Sequence, residues 1–138
     1  MAIINMQAMR YLNLLDKVAR VKTTLCFTHN NTVFYAVRDG DVSRAIGVGA
    51  INIRKIQDSL GKKVKIIREP NGVQDSRQFV EDIVSPVRFK SFEIKDNCAI
   101  ITAGNMQAKA SLIGRNRRRF DELRKILHDI FRLDLKIV

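Results

Sequence analysis

Two glycine-centred breaks hold most of the chemistry this chain offers. The first reads Ala45-Ile46-Gly47-Val48-Gly49-Ala50-Ile51-Asn52-Ile53, and the second Leu112-Ile113-Gly114-Arg115-Asn116-Arg117-Arg118-Arg119-Phe120. Each lies between two segments with the apolar spacing of helices. Glycine accepts positive φ and leaves room for a ligand that a Cβ would exclude. The helix that follows turns unpaired N–H groups and the positive end of its dipole toward the gap. An anion, above all a phosphate, is stabilised there without any base-specific contact. A single break of this kind more often only lets two helices turn. Its recurrence in the same slot of both halves favours a ligand.

The charge balance points the same way. The chain has 138 residues, with 25 Lys and Arg against 14 Asp and Glu, a formal net charge of +11. Residues 1–69 carry 12 basic and 5 acidic residues, and residues 70–138 carry 13 and 9, so both halves are basic. Such a fold attracts phosphate polyanions through counterion release, or an anionic membrane surface. In the second half Lys109, Arg115, Arg117, Arg118, Arg119, Arg124 and Lys125 crowd around the break, opposed by Asp121 and Glu122. In the first half Arg44, Arg54, Lys55, Lys62, Lys63, Lys65 and Arg68 surround the equivalent region. Arginine suits bidentate phosphate contacts and stacking on bases. The ordinary fate of such residues is a solvated helix face. The run Arg115 to Arg119 is the stronger candidate for nucleic acid, and Lys62 and Lys63 the weaker.

Other chemistries find little support. His29 falls in an expected hairpin turn and His128 in a helix, neither with a nucleophile or carboxylate at catalytic spacing. The acidic pairs Glu81-Asp82 and Asp121-Glu122 suit solubility or capping, and no phosphate-loop or metal-site motif occurs. No enzyme activity, cofactor or metal is expected. Cys26 and Cys98 stand far apart among apolar or β-favouring residues, as small core residues do. No run approaches the ~20 apolar residues of a membrane span. The start, Met1-Ala2-Ile3-Ile4-Asn5, lacks the pattern of a cleavable leader, which predicts a cytoplasmic protein.

The elements that must position the breaks follow from an internal repeat. Gly47 and Gly114 are 67 positions apart, and this offset lays Val33 on Ile100, Ala45 on Leu112, Ile46 on Ile113, Ile56 on Leu123 and Leu60 on Leu127. After that the second copy has about four extra residues, so that Val64 and Ile66 match Leu135 and Ile137. Duplication of one supersecondary unit is the natural reading, with its seam at the turn signal Pro70-Asn71-Gly72.

In the first copy Ile4, Ala8, Leu12, Leu15 and Ala19 predict an amphipathic helix. Thr24 to Phe27 and Thr32 to Val37 predict a hairpin around His29-Asn30-Asn31. A short helix capped by Asp41 reaches Ile46, a second helix carries Ile53, Ile56 and Leu60 to Gly61, and Val64 to Ile67 forms a strand. In the second copy Asp75 or Ser76 caps a helix bearing Phe79, Ile83 and Val84 and stopped by Pro86. Strands follow at Phe89 to Ile94 and Cys98 to Thr102. A short helix ends at Ile113, a longer one buries Phe120, Leu123, Leu127 and Ile130, and Leu133 to Val138 closes the copy. The order is helix, strand, strand, helix, helix, strand, twice, an α+β pattern.

The break segments resemble the glycine loop of the KH family, and the element order resembles its type II form. A tandem pair spanning essentially all 138 residues is similar to the short archaeal form of the NusA family. That form lacks the amino-terminal polymerase-binding domain of bacterial relatives. The resemblance implies an α+β fold of two tandem type II KH domains, 1–69 and 73–138, each a three-stranded sheet covered by helices on one face. It implies an RNA-binding role in which each loop clamps about four nucleotides of a single strand. Gly47, Val48, Gly49 and Ala50 would serve with Arg54, Lys55, Lys62 and Lys63 in one domain. Gly114, Arg115, Asn116, Arg117, Arg118 and Arg119 would serve in the other. Ile46, Ile53, Ile113 and Phe120 are candidates by position for lining the grooves, although residues of this kind more often belong to the core.

Packed across Pro70 to Gly72, the pair would offer nascent RNA one continuous basic surface. Modulation of transcription pausing, termination or antitermination is the function implied, with RNA polymerase as a further partner. Both loops depart from the family pattern, since Ala50 and Arg117 stand where it has a second glycine. A ribosome-associated or rRNA-binding KH protein is the alternative, and single-stranded DNA is a further ligand that KH modules accept. The aromatic content of 7%, with no Trp, argues against a stacking platform.

Overall fold

Tyr11, Leu15 and Ala19 recur at helical spacing and bury one face of α1 (Met6–Ala19) in a computed structural model that describes residues 6–138. Ile4 and the leader expectation for Met1 to Asn5 lie outside the described residues. The chain divides into two compact units, one ending at Pro70 and the other running Asn71–Val138.

In the first unit, β1 (Leu25–His29) and β2 (Thr32–Val37) pair antiparallel, joined by Asn30 and Asn31. Both asparagines have positive φ, 51° and 59°. A two-residue turn matching the strand twist requires such angles, and asparagine tolerates them. His29 therefore ends β1 rather than sitting in the turn, and it is buried with its ring edge toward Phe34. The helices α2 (Val42–Ile46) and α3 (Ile51–Leu60) carry the chain over to β3 (Lys63–Arg68), which pairs parallel to β2. Gly61 closes α3 in the left-handed conformation, donating to Gln57 O at 2.8 Å.

Val33, Tyr35 and Val37 face Tyr11, Leu15, Ala45, Ile56 and Val64 in the core, and the Tyr35 hydroxyl donates to Tyr11 O at 2.8 Å. The opposite face of β2 is not open either. Phe34 is stacked on Phe27 at 5.4 Å and lies beneath the Lys65 ammonium at 5.9 Å. The three form a row of cross-strand neighbours over all three strands. All six residues of β2 are buried.

The second unit repeats the plan with α4 (Ser76–Val84), β4 (Ser91–Lys95), β5 (Cys98–Thr102), α5 (Met106–Ile113), α6 (Arg118–Phe131) and β6 (Asp134–Ile137). Again the central strand pairs antiparallel with one neighbour and parallel with the other. Phe79, Val80, Ile83, Ala99, Ile101, Leu112, Leu123, Leu127 and Leu135 are buried, and Phe131 meets Phe79 edge-on at 5.8 Å. Ile126 is buried and Ile130 only half-buried, which rotates the buried face of α6 slightly from the expected one. Strand β4 opens at Ser91 rather than Phe89, whose ring lies beside Phe92 and under the Arg77 guanidinium.

The capping chemistry also differs from expectation. Asp41 and Asp75 occupy the N-cap positions of α2 and α4, but each is preceded by a helical turn and its carboxylate caps no helix N–H. Asp41 instead accepts from Arg44, and Asp75 from the Asn71 N–H. Ser76 donates its hydroxyl to Val73 O. Among the described residues, Asn105 does cap a helix, its side chain accepting from Ala108 N–H at 2.7 Å at the start of α5.

The repeat runs at three offsets. The hairpin turns Asn30-Asn31 and Asp96-Asn97 are 66 apart, so that Val33 corresponds to Ala99 and not to Ile100. The glycines are 67 apart, and the register of Thr32 with Lys63 and of Cys98 with Asp134 puts the closing strands 71 apart. A one-residue error in a strand exchanges its faces: Val33 and Ala99 are fully buried, whereas Ile100 is half-buried.

Cys26 and Cys98 are both free and half-buried. Burial pushes the Cys26 thiol up to about 12. Since only the thiolate reacts, alkylation at about pH 8 should modify Cys26 only after unfolding. Mass spectrometry of the native, labelled protein checks this, and labelling of Cys26 at its denatured rate would contradict it.

Candidate nucleic-acid interface

Both glycine breaks adopt the same backbone. The N–H of Gly47 donates to Ser43 O at 2.9 Å and that of Gly114 to Ala110 O at 2.9 Å, ending α2 and α5. The glycine dihedrals φ and ψ are then 80° and 165° in the first loop, 75° and 174° in the second. Gly49 and Asn116 follow in the left-handed region at 61° and 26°, and 55° and 29°. Ala50 and Arg117, in the slot of the second family glycine, are left-handed as well, at 60° and 29°, and 61° and 21°. That conformation costs a residue with a Cβ roughly 1–2 kcal/mol. The chain nevertheless adopts it twice, and α3 and α6 start at the next residue in each case. The departure from the family pattern thus leaves the loop backbone the same in both copies.

A further feature is shared. Asn52 Nδ2 donates to Arg44 O and the Arg119 guanidinium to Ser111 O, each at 3.0 Å. All four positions keep the offset of 67. Each link joins the first turn after the loop to the last turn before it. Each also crosses the glycine: a Cβ on Gly47 would lie 2.9 Å from Asn52 Nδ2, and one on Gly114 would lie 2.7 Å from Arg119 Cγ. Asn52 was not a sequence candidate. The signal for it was that positions 52 and 119 correspond and both carry N–H donors.

Beyond the backbone the loops diverge. The first presents Val48, 94% exposed, with Ile51 partly exposed and no charge. The second presents Arg115 and Arg118 to solvent, while the Arg117 guanidinium lies 4.7 Å from the ring centre of Phe120. Phe120 is buried, and Ile46, Ile53 and Ile113 are half-buried. Arg54 and Lys55 are exposed near the start of α3, with Lys109 on α5 and Lys125 on α6.

The expected cluster of the first half separates in space. Lys62 and Lys63 lie beyond the far end of α3. A helix of that length spans about 15 Å at its ordinary rise per residue. Lys62 Nζ is instead 3.5 Å from the Tyr11 hydroxyl. The two lysines do not join the loop. Arg44 is paired with Asp41. A cleft of about 720 Å³ beside α1, lined by Met9, Leu12, Asp16, Thr23, Arg38 and Glu69, contains no residue of the glycine loop.

Arg124 is likewise engaged, donating to Asp134 Oδ1 at 2.7 Å and so tying α6 to β6. The Leu135 N–H, and then Arg124, hold the Asp134 carboxyl below its ordinary 3.8. A carboxylate depressed in this way stabilises the fold above its unfolded pKa, and the contribution fades as pH falls through the folded value. Asp134→Asn should therefore be less stable than the parent at neutral pH, with the gap shrinking below pH 3.8. Urea denaturation at both pH values checks the sign, and a gap independent of pH would contradict it.

Taken together, the units define a class: α+β proteins in which units of one three-stranded sheet, each with one glycine loop at a helix start, follow one another in a basic chain. Among known proteins, the chain is similar to archaeal proteins named probable transcription termination protein NusA. It is 29% identical over 116 residues to that of Methanocaldococcus jannaschii, covering 81% of this chain and 61% of the relative. With that of Methanococcus vannielii it is 24% identical over 92 residues, 67% of this chain and 51% of the relative. The relative from Halococcus morrhuae is 20% identical over 129 residues, 92% of this chain and 91% of its own length. The chain thus spans little more than half the length of the first two.

No family model matches the chain. The crystal structure of APE1850 superposes on 98% of this chain and 100% of its own, with a TM-score of 0.67 and 21% identity, a likeness of fold. The relatives are named for transcription termination and not for an enzymatic activity. Among the described residues, no group of three His, Cys, Asp or Glu side chains is placed to hold a metal ion, and no helix is long and apolar enough to cross a membrane.

Proposed function

We propose that the chain is a NusA-like transcription factor that holds single-stranded nascent RNA through two tandem type II KH modules, and so modulates pausing, termination or antitermination. One observation carries the reading. The same bend, with closely similar dihedral angles, opens onto the amino end of a helix in each unit of a chain with net charge +11. A phosphodiester is the ligand such a bend suits.

Backbone clamping needs no base-specific partner, which fits two loops of unlike side chains. Arg115 and Arg118 add charge at the second loop, and Arg54 and Lys55 do so one turn beyond the first. The relatives' names support the transcription assignment, and RNA polymerase is the further partner proposed with it.

The test is titration of short single-stranded RNA, matched DNA and a folded rRNA fragment over a range of salt. Single strands should bind, with log affinity falling against log salt by about 0.7 per phosphate contacted. Addition to a transcribing polymerase should then shift termination efficiency on a template with a weak terminator. Absence of single-strand binding would overturn the clamp, and binding confined to folded rRNA would move the protein to a ribosome-associated role.

A further inference from the structure

Asn52 and Arg119 differ in length and charge, yet they make the same link across the same bend. The carbonyl each one reaches lies in the last turn of a helix, where helix geometry leaves it without an N–H partner. Both side chains occupy the space over the loop glycine that a Cβ would need. Two unlike residues meeting one geometric demand mark a function of the position.

We propose that Asn52 and Arg119 are positioning residues that lock each loop into its strand-binding shape before any ligand arrives. The inference rests on the strand-binding reading given above. It also reassigns a residue. Arg119 stands inside the run Arg115 to Arg119 and looks like a phosphate ligand by sequence, but it is half-buried with its guanidinium on Ser111 O. Its contribution to binding is a loop already ordered, which removes an entropic cost from association. The glycines acquire a second reason to be glycine, because the link passes where their side chains would stand.

The copies supply the test, since each holds the other's answer. Arg119→Met keeps the length of the side chain and removes the donors. Arg119→Lys keeps the charge. Arg119→Asn grafts the first loop's residue onto the second, removing the charge while restoring a donor. Amide hydrogen exchange at residues 115–118 and affinity for a short RNA, with its salt dependence, are measured on the full chain.

In Arg119→Met the loop amides should exchange about fivefold faster, the effect of one lost hydrogen bond, and affinity should fall by a similar factor. The salt slope should not change. Arg119→Asn should recover both protection and affinity. Should Arg119→Met fail to fold, Asn52→Ala and Asn52→Arg ask the same question of the first loop, with exchange at residues 48–51 as readout.

A salt slope lowered by about 0.7 in both Arg119→Met and Arg119→Asn but kept in Arg119→Lys would make Arg119 a phosphate contact and overturn the proposal. So would unchanged exchange in Arg119→Met. If the parent protein binds no single strand, the functional reading fails, while the exchange measurements still decide the link.

Discussion

Gly114→Ala should destabilise the second unit by about 2–4 kcal/mol, and Gly47→Ala should do comparable damage to the first. The Gly114 dihedral angles of 75° and 174° fall in a region essentially reserved for glycine. A side chain there costs about 1–3 kcal/mol. The added Cβ would also lie 2.7 Å from Arg119 Cγ and 3.0 Å from its Cβ. Arg119 would have to swing away and give up its bond to Ser111 O, a further ~1 kcal/mol.

Gly49→Ala is the control. Gly49 has a φ of 61°, and nothing lies within 4 Å of the new methyl. It bears only the left-handed cost of about 1–2 kcal/mol. Urea unfolding of the full chain should therefore rank Gly114→Ala and Gly47→Ala clearly below Gly49→Ala. Equal losses at Gly47 and Gly49 would show that the crossing side chain has no energetic role.

The second large effect concerns binding. Aspartate at Gly47 or Gly114 is a poor probe, because it would break the bend as well as repel a phosphate. Asn116 and Gly49 are the sites to use, since both are left-handed, and aspartate tolerates that conformation as asparagine does. Asn116→Asp places a negative charge in the second loop with almost no change of shape. Against a phosphate ~4 Å away the repulsion is roughly 1–4 kcal/mol across the range from bulk water to a protein surface.

RNA affinity should accordingly fall at least about fivefold at about 0.1 M salt and recover partly as salt rises. Gly49→Asp reports on the first loop in the same way, and circular dichroism confirms that each variant is folded. A loss confined to one variant locates the strand in that loop. Full affinity in both, with the parent binding normally, would remove the loops from the mechanism.

Much of this arrangement was legible in the sequence. Apolar residues at helical spacing, asparagine-rich turns and the recurring Ile-Gly step yield the order of elements, because each is a local signal. What stayed hidden was non-local. Lys62 and Lys63 are near Ala50 in number, but a whole helix stands between them and the loop. Asp41 and Asp75 sit where caps belong, yet the turn ahead of each already supplies the geometry, and their carboxylates go to Arg44 and Asn71. Ala50 and Arg117 carry no trace of their left-handed backbone in their residue type, since that conformation is imposed by the bend around them. Arg119 reads as one more surface cation until its distance to Ser111 is known.

The drifting offset between the halves has a practical meaning for anyone recombining them. A chimera that exchanges the central hairpins must be spliced at a spacing of 66, one that exchanges the glycine loops at 67, and one that exchanges the closing strands at 71. A single splice rule applied throughout would leave the loops intact and turn a strand inside out, offering Ile100 where the core takes Ala99. The two halves can thus be shuffled as cassettes only if the cuts fall in the turns, where a residue gained or lost changes a connection and not a face.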